Sequence, residues 1–497
     1  MRLSISQSTV LTVCLAWLLQ PAIQADNPNI VLIYTDDQGY GDVAALNPES
    51  KFKTPNLDRL VHEGLTFTDG HCSDTVCTPS RYGLLTGRYS WRTYFKKGVL
   101  GAEGDCLIEN DRMTVASLLK DHGYDTAMVG KWHLGMKFDG KLGQRDWSQK
   151  FTDGPIEKGF DYFWGIPASM NYGILTYLEG DRVLKPAEFW TRKKPGILRH
   201  DPASYRITPP YAARPKKMDK GALEVADDFD DVEVLGRITD KSIEWIQGRA
   251  SQPEARPFFI YIPMTSPHKP VIPAPEFIGK SDCGAYGDFM VETDHRVGQI
   301  LDTLDRLKIA DNTMVIFTSD NGPENTYKKR KDVFQHHSAI HFRGGKRDLY
   351  EGGHRVPFLV RWPATVRAGT TCDTPVCQTD LLATFAELMK TELPDAAGED
   401  SVSFAPALYG NPIKGRPLLH HSASGHFAVR DGQWKLLLPG AKGRDTELYD
   451  LSADAGEKKN LAKTHPDQVR RLTELATATV RKHSAGWWPQ LTWIPEP

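Results

Sequence analysis

The sequence predicts an α/β fold of the doubly wound type, with a mostly parallel sheet and helices on both of its faces. Short runs of β-branched and aromatic residues are typical of strands that are buried on both sides. Such runs occur at Ile30–Tyr34, Thr126–Val129, Phe258–Ile262, Met314–Phe317 and Val356–Val360. Helical periodicity lies between them, as at Met113–Lys120 and Asp288–Leu307. This alternation predicts parallel strands that are joined by helical crossovers.

Polar side chains follow four of these runs, which is a third observation in favour of the fold. Ligands of open α/β sheets bind beyond the carboxyl ends of the strands, where such residues would meet. The residues concerned are Asp36, Asp37, Lys131, His133, His268, Asp320 and Asn321. We therefore expect them to form one site at one edge of the sheet.

The pattern changes near residue 390. Thr379–Met389 predicts a last helix on the main sheet, and Leu393–Phe404 predicts a loop. Further on, His426–Leu437 predicts a hairpin that turns at Asp431-Gly432, and Pro466–Lys482 predicts an amphipathic helix. We therefore expect an α/β domain over residues 26–410 and a small antiparallel sheet with one helix over residues 411–497.

The first 25 residues predict a cleavable signal peptide. Arg2 provides a positive start, Val10–Leu19 is apolar, and Ala25 is a small residue at the expected cleavage site. The apolar run is shorter than the ~20 residues that cross a bilayer, and no later segment approaches that length. We therefore expect a secreted or periplasmic protein without a membrane span.

The composition of the chain excludes some classes of partner. Its 497 residues carry a formal net charge of −2, with 40% hydrophobic and 25% charged residues, as in ordinary globular proteins. Nothing indicates a polycation that binds nucleic acid. Cysteines are sparse for a disulfide scaffold, and although Cys372 and Cys377 are close enough in sequence to bridge, spacing does not determine pairing. The sequence does not indicate an oligomeric state.

The segment Cys77–Gly87 (CTPSRYGLLTG) predicts a helix that begins near the cysteine. Pro79 suits the first turn of a helix, and Gly87 suits its C-terminal cap. Cys77 would then lie where free N–H groups favour an anion. A buried cysteine at the start of an ordinary helix would fit the same pattern.

A second group of residues offers oxygen atoms for a metal. Asp36, Asp37, Asp320 and Asn321 provide hard ligands that suit Ca²⁺ or Mg²⁺ better than zinc. Three carboxylates in one place would repel one another without a cation. Taken alone, an Asp pair at a strand end is as typical of a loop cap as of a metal site.

These segments together resemble the type I, formylglycine-dependent sulfatases. Cys77–Gly87 is similar to the family signature C-x-P-S-R with the following L-T-G. Further similarity lies in the G-K-W-H-x-G stretch at 130–135, S-P-H at 266–268, D-N-G at 320–322, K-x-x-x-Y-E-G-G at 346–353 and E-L-Y-D-L at 447–451. The resemblance covers most of the chain and implies the alkaline-phosphatase-like version of the α/β fold.

The resemblance also implies how the site is made. A maturation enzyme would oxidise Cys77 to Cα-formylglycine, also called 3-oxoalanine, whose hydrate attacks sulfur and then expels sulfate. One calcium ion, with Mg²⁺ as the alternative, would bind the modified Cys77 and the four oxygen ligands Asp36, Asp37, Asp320 and Asn321.

Cationic and polar residues would complete this site. Arg81 lies one helical turn after Cys77 and can reach back to it. In the family pattern His133 orients or activates the hydrate, while Lys131, His268 and Lys346 bind sulfate oxygens and stabilise the leaving oxygen. Ser169 matches a position that contacts sulfate in some members.

Two other functions remain open at this point. One is a phosphomonoesterase or phosphonate monoester hydrolase of the same superfamily, although many of those enzymes use Ser or Thr with two zinc ions. The other is a non-catalytic protein that binds sulfated glycans. The joint presence of Cys77, Arg81, Lys131, His133 and Lys346 argues against the second.

The expected substrate is a sulfated carbohydrate, with an aryl sulfate as the alternative and the 6-sulfate of N-acetylgalactosamine as the specific hypothesis. A basic rim could hold further anions of a polysaccharide, although a mobile charged loop has the same composition. The rim comprises Lys328, Lys329, Arg330, Lys331, Arg343 and Arg347. Within it, His336, His337 and His341 are expected on a solvated or substrate-facing loop. Trp487, Trp488 and Trp493 are expected to pack against the core, with stacking on sugars as the alternative.

Overall fold

The computed structural model of the protein describes residues 27–192, 205–213, 221–252, 256–440 and 445–482. The signal peptide predicted over residues 1–25 lies outside these ranges, as do Trp487, Trp488 and Trp493. Both interpretations therefore remain predictions. Among the described helices, none combines the length and the apolar composition needed to cross a membrane.

Strands and helices alternate along the described chain. In chain order the strands are β1 (Asn29–Thr35), β2 (Leu65–Phe67), β3 (Gly70–His71), β4 (Asp125–Lys131), β5 (Tyr162–Ile166), β6 (Ile174–Leu175), β7 (Leu178–Glu179), β8 (Arg182–Val183), β9 (Phe189–Arg192), β10 (Ala212–Ala213), β11 (Ala222–Val225), β12 (Phe258–Pro263), β13 (Thr313–Ser319), β14 (Phe358–Arg361), β15 (Thr370–Cys372), β16 (Val376–Cys377), β17 (Leu418–His421), β18 (Phe427–Asp431), β19 (Trp434–Leu437) and β20 (Glu447–Asp450). The helices are α1 (Pro55–Glu63), α2 (Cys77–Thr86), α3 (Val115–Asp121), α4 (Glu233–Ala250), α5 (Gly284–Arg306), α6 (Tyr327–Phe334), α7 (Glu351–His354), α8 (Leu381–Leu388), α9 (Ala405–Leu408) and α10 (Pro466–Arg481).

A ten-stranded sheet with the order β15-β2-β14-β13-β1-β12-β4-β5-β7-β8 forms the centre of the molecule. Its middle strands β13, β1, β12, β4 and β5 are parallel. Residues of β1 alternate between two cores, with Val31 and Ile33 on one face and Ile30 and Leu32 on the other. Helices α1, α4 and α5 pack into the first core, and α2, α3 and α8 into the second. The predicted doubly wound fold is therefore confirmed.

The first four predicted runs are parallel strands, but the fifth is not. It forms β14, which is antiparallel to both β13 and β2. An apolar run records burial on both faces and carries no information about strand direction. Strand β5, which contains Gly165, does not stand out as an apolar run in the sequence. A Cβ there would lie 1.8 Å from the carbonyl oxygen of Gly130, so close strand contact requires glycine.

The C-terminal part forms an antiparallel sheet with the order β17-β18-β19-β20. The predicted hairpin corresponds to β18 and β19, and the predicted amphipathic helix to α10. Leu472, Ala476 and Val480 of α10 are buried against this sheet. The sheet also reaches the main body, because Thr75 donates from its backbone N–H to the His421 carbonyl over 3.1 Å. The boundary at residue 410 remains a prediction.

Candidate active site

The strand ends of the central sheet bring the predicted polar residues together. Strand β1 lies between β12 and β13, and β4 lies next to β12. The loops that follow these strands therefore open at the same edge of the sheet. The residues of this edge are almost fully buried, from 0% exposed for Asp36, Lys131, His133, Asp320 and Asn321 to 5% for His268.

Four oxygen-bearing side chains form the floor of the site. Asp37 accepts a hydrogen bond from the Asn321 amide (2.8 Å), and its backbone N–H donates to Oδ1 of Asp320 (3.1 Å). Among the described residues, no hydrogen-bond partner faces Oδ1 of Asp36, Oδ2 of Asp37 or Oδ1 of Asn321, although all three atoms are buried. Buried oxygens rarely lack a partner, so these atoms fit a cation that completes them.

Buried cations surround the carboxylates. Lys131 forms an ion pair with Asp36, and Lys346 donates to Oδ1 of Asp37 over 2.6 Å. Burial raises the pKa of Asp36, but Lys131, His268 and Arg81 outweigh it and hold that pKa well below its usual range. Asp36 is therefore ionised and available as a metal ligand.

Arg81 connects the helix that carries Cys77 to the metal-binding loop. Its guanidinium donates to Oδ2 of Asp320 (2.8 Å) and to the Lys131 carbonyl (3.2 Å). Burial and the neighbouring Asp36 nevertheless raise the pKa of Asp320 to about 7. Burial is the main cause of this raised pKa, and a divalent cation beside Asp320 would favour its ionised form.

Cys77 is the first residue of α2, and Gly87 caps the helix with φ 64°, as predicted. The cysteine is 2% exposed. Burial raises the pKa of its thiol, and the nearby Lys131 and Lys346 do not compensate. An unmodified Cys77 would therefore be a neutral thiol, which is a poor nucleophile.

Two histidines contribute to the site in their neutral forms. Nε2 of His133 is 3.0 Å from the Leu100 carbonyl, and its Nδ1 is buried without a partner among the described residues. Burial, Lys131 and Arg81 lower the pKa of His133 well below its usual value. Burial likewise lowers the pKa of His268 to about 4, and its Nε2 lies 3.8 Å from Oδ2 of Asp37.

The backbone of the site is constrained at several points. Asp37 (φ 68°) and His133 (φ 61°) have left-handed conformations, which residues other than glycine rarely adopt and which the surrounding structure must hold in place. Gly130 (φ 141°) lies so close to β12 that a Cβ would be 2.1 Å from the Pro263 carbonyl oxygen. The G-K-W-H stretch therefore needs its glycine to hold Lys131 in place.

Ser169 is the site prediction with the weakest structural link. It lies after β5 and is 2% exposed, and its hydroxyl has no partner among the described residues. No contact among those residues joins it to the carboxylates. Its predicted role in binding sulfate remains a prediction.

Some expectations about the surroundings of the site were wrong. His336 is buried, donates from Nε2 to Asp42 over 2.7 Å and packs on Phe52, so it belongs to the core. Arg330 is also buried, with its guanidinium 3.4 Å from the centre of the Tyr286 ring, so it is not part of a rim. In a basic sequence, charge alone did not distinguish such core contacts from exposure.

An ion-paired group that none of the sequence motifs indicates lies at the mouth of the site. Glu324 contacts both Arg347 (2.6 Å) and Lys269 (3.2 Å). Lys269 and Arg347 follow His268 and Lys346 directly in the sequence, so position next to a motif residue was the available signal.

A second buried cluster consists of His71, His354 and His420. The rings of His354 and His420 are stacked, with centres 3.6 Å apart and planes 11° apart. Stacked rings direct their nitrogens along parallel planes, whereas metal ligands converge. Nδ1 of His71 instead lies 2.9 Å from Nδ1 of His354, in a hydrogen-bonded chain that continues to Asp69.

All six cysteines of the described residues are free, including Cys372 and Cys377.

Comparisons with known proteins agree with this arrangement. Residues 28–391 match the family model described as Sulfatase, and residues 341–482 match the model described as N-sulphoglucosamine sulphohydrolase, C-terminal. The chain is 34% identical over 496 residues to an N-acetylgalactosamine-6-O-sulfatase of Bacteroides thetaiotaomicron, covering 91% of this chain and 94% of the relative.

Two further similarities have comparable coverage. Human arylsulfatase A is 31% identical over 492 residues, covering 90% of this chain and 87% of the relative. A solved Bacteroides thetaiotaomicron protein, from a study of the metabolism of multiple glycosaminoglycans, superposes with a TM-score of 0.80. It is 32% identical, and the match covers 92% of this chain and 100% of that one.

Proposed function

The chain belongs to the sulfatase family and is a sulfuric ester hydrolase. We propose that it removes sulfate from a carbohydrate, using a formylglycine made from Cys77 and one bound calcium ion. The observation that carries the proposal is the set of three unpartnered, buried oxygens on Asp36, Asp37 and Asn321 beside Cys77. Hard oxygen ligands favour Ca²⁺, with Mg²⁺ as the alternative.

The protein itself supplies charge stabilisation and proton transfer. When present, formylglycine would supply a hydrate hydroxyl that attacks sulfur, and Ca²⁺ bound by Asp36, Asp37, Asp320 and Asn321 would polarise a sulfate oxygen. Lys131 and Lys346 are buried cations that stabilise negative charge on the sulfate oxygens.

Proton transfer can be assigned to the two histidines. Nε2 of His133 donates its proton to the Leu100 carbonyl, so Nδ1 carries a free lone pair. Nδ1 is buried and can accept a proton near position 77. Nε2 of His268 lies 3.8 Å from Oδ2 of Asp37, and His268 can donate to the leaving oxygen once the negative charge of a bound sulfate ester favours its protonated form. Arg81, in α2, binds both Asp320 and the end of β4 and so fixes their positions relative to Cys77.

The proposed substrate is the 6-sulfate of N-acetylgalactosamine within a glycan. Its support is the similarity to an enzyme of that name over most of both chains. We further propose that the protein is exported, as the predicted signal peptide indicates, and that a formylglycine-generating enzyme matures it.

Paired esters and mass spectrometry test this function. Protein matured in a host with a formylglycine-generating enzyme should hydrolyse sulfated N-acetylgalactosamine far faster than the matched phosphate ester. The peptide that contains Cys77 should have the mass of the aldehyde form. Cys77→Ala should fold, with an unchanged circular dichroism spectrum, and lose activity.

Two results would contradict the proposal. Full turnover by Cys77→Ala would exclude the nucleophile. Preference for the phosphate ester, with two zinc ions at native stoichiometry, would instead favour the phosphomonoesterase.

A further inference from the structure

Three charged residues form a partly exposed group beside the buried site. The guanidinium of Arg347 binds both carboxylate oxygens of Glu324, at 2.6 and 3.1 Å, and Lys269 lies 3.2 Å from the same carboxylate. Their side chains are 43%, 14% and 25% exposed, respectively. We call Lys269, Glu324 and Arg347 the mouth triad.

The mouth triad is attached directly to the site. Lys269 follows His268, Arg347 follows Lys346, and Glu324 is three residues after Asn321. The backbone N–H of Lys346 donates to the Pro323 carbonyl over 2.9 Å, which joins two of these segments. Burial lowers the pKa of Arg347, but its neighbours outweigh burial, and Glu324 raises this pKa most. Asp37 and Cys77 add to this rise, because they lie close to the guanidinium.

The chemistry of the mouth triad suits a neutral, hydroxyl-rich group. Glu324 offers carboxylate oxygens that accept hydrogen bonds, and Arg347 and Lys269 offer donors beside them. Glu324 offsets one of the two cations and the buried Arg330 removes another from the expected basic rim, so this surface attracts a second sulfate less than the sequence predicted. The hydrocarbon ring of an unsubstituted aryl ester presents neither donors nor acceptors to such a surface.

We infer that the mouth triad recognises hydroxyl groups of the sugar ring that carries the sulfate, with Glu324 accepting and Arg347 donating. This inference rests on the proposed sulfatase function and assigns the selection of the alcohol to residues outside the sulfate-binding floor. Arg347 is suited to the role because Glu324 holds its guanidinium in place, so little side-chain freedom is lost on binding.

The test compares two substrates rather than one rate. Arg347→Lys keeps the charge but loses the planar donors, and Glu324→Gln keeps the size but loses the acceptor charge. For each variant, kcat/KM is measured with N-acetylgalactosamine 6-sulfate and with phenyl sulfate, whose ring carries no polar substituent. The ratio of sugar to aryl kcat/KM should fall by at least about tenfold, as expected for the loss of one or two hydrogen bonds to substrate.

A matched control separates recognition from general effects. Arg470→Lys makes the same substitution in a more exposed arginine pair, with Asp467 in α10, and should leave the ratio unchanged. A ratio unchanged in both triad variants, or an equal loss with both esters, would overturn the inference. A wild-type protein that hydrolyses neither sulfate ester would instead contradict the proposed function.

Discussion

A Cβ atom on Gly322 would lie 1.8 Å from the carbonyl oxygen of Gly352. The backbone N–H of Gly322 also donates to the Gly353 carbonyl over 3.0 Å. The loop that carries Asp320 and Asn321 is therefore pressed directly against α7, with backbone on both sides. Neither partner can move away as a flexible side chain could.

Gly322→Ala should consequently displace the proposed metal-binding loop. Because the clash is with backbone, we expect kcat/KM for a sulfate ester to fall by at least about a hundredfold, in line with a displacement of about 1 Å at an active site. Steady-state kinetics measures the fall in kcat/KM, and calcium titration measures the effect of the displaced loop on metal binding. Gly248→Ala is the control, since Gly248 lies in α4 with nothing within 4 Å of its added Cβ. It should leave activity intact and increase stability by up to about 1 kcal/mol.

The ends of the strands were predictable from the sequence, whereas some close contacts were not. Continuous apolar runs located β1, β4, β12 and β13, and therefore the edge where Asp36 and Asp320 meet. Contacts such as Gly165 with Gly130 depend on strand order, which no local pattern records. The burial of His336 depends on Asp42, almost 300 residues away in sequence. Charge patterning described the basic segment correctly but could not show which of its residues turn inward.

Calcium should stabilise the folded protein through Asp37 and its neighbours. A ligand that binds only the native state at a hundredfold excess over its Kd adds about 2.7 kcal/mol to the free energy of unfolding. Addition of CaCl₂ to chelator-treated protein should therefore raise Tm in differential scanning fluorimetry, and activity should return. Asn321→Leu removes one of the unpartnered oxygens and should greatly reduce this rise in Tm. An equal rise in the variant and the wild type would place the ion elsewhere.

The C-terminal sheet should contribute to stability through a buried ion pair. Lys435 of β19 lies 3.0 Å from Glu351 and 2.9 Å from Glu457, and all three residues are 0% exposed. Lys435→Met leaves two buried carboxylates without this cation and should lower the free energy of unfolding by about 3–5 kcal/mol. Urea denaturation measures the change. Arg471→Gln breaks an exposed pair with Asp431 and should cost no more than about 1 kcal/mol. Similar losses in both variants would contradict the buried-pair argument.

The buried histidine cluster should make stability fall as the pH decreases. Burial is the main cause of the lowered pKa values of His71, His354 and His420. The pKa values of His354 and His420 are well below the usual value for histidine. In the unfolded chain the same residues titrate near pH 6.5. Below that pH the unfolded state binds more protons than the folded state, so stability rises with pH through this range. The charged groups that face the cluster are Asp69, Glu351, Arg430, Lys435 and Glu457.

His420→Phe isolates the contribution of one member. His420 is 0% exposed and stacks on His354, so phenylalanine keeps the apolar contact and removes the titration. Between pH 6.5 and 5.0 the variant should lose stability less steeply than the wild type, by up to about 1.4 kcal/mol per pH unit. Glu457, whose pKa burial raises to about 7, acts in the opposite direction but is present in both proteins. Urea denaturation at several pH values gives both slopes. Identical slopes would mean that His420 takes up its proton in the folded protein as readily as in the unfolded chain. That result would contradict a neutral, buried His420.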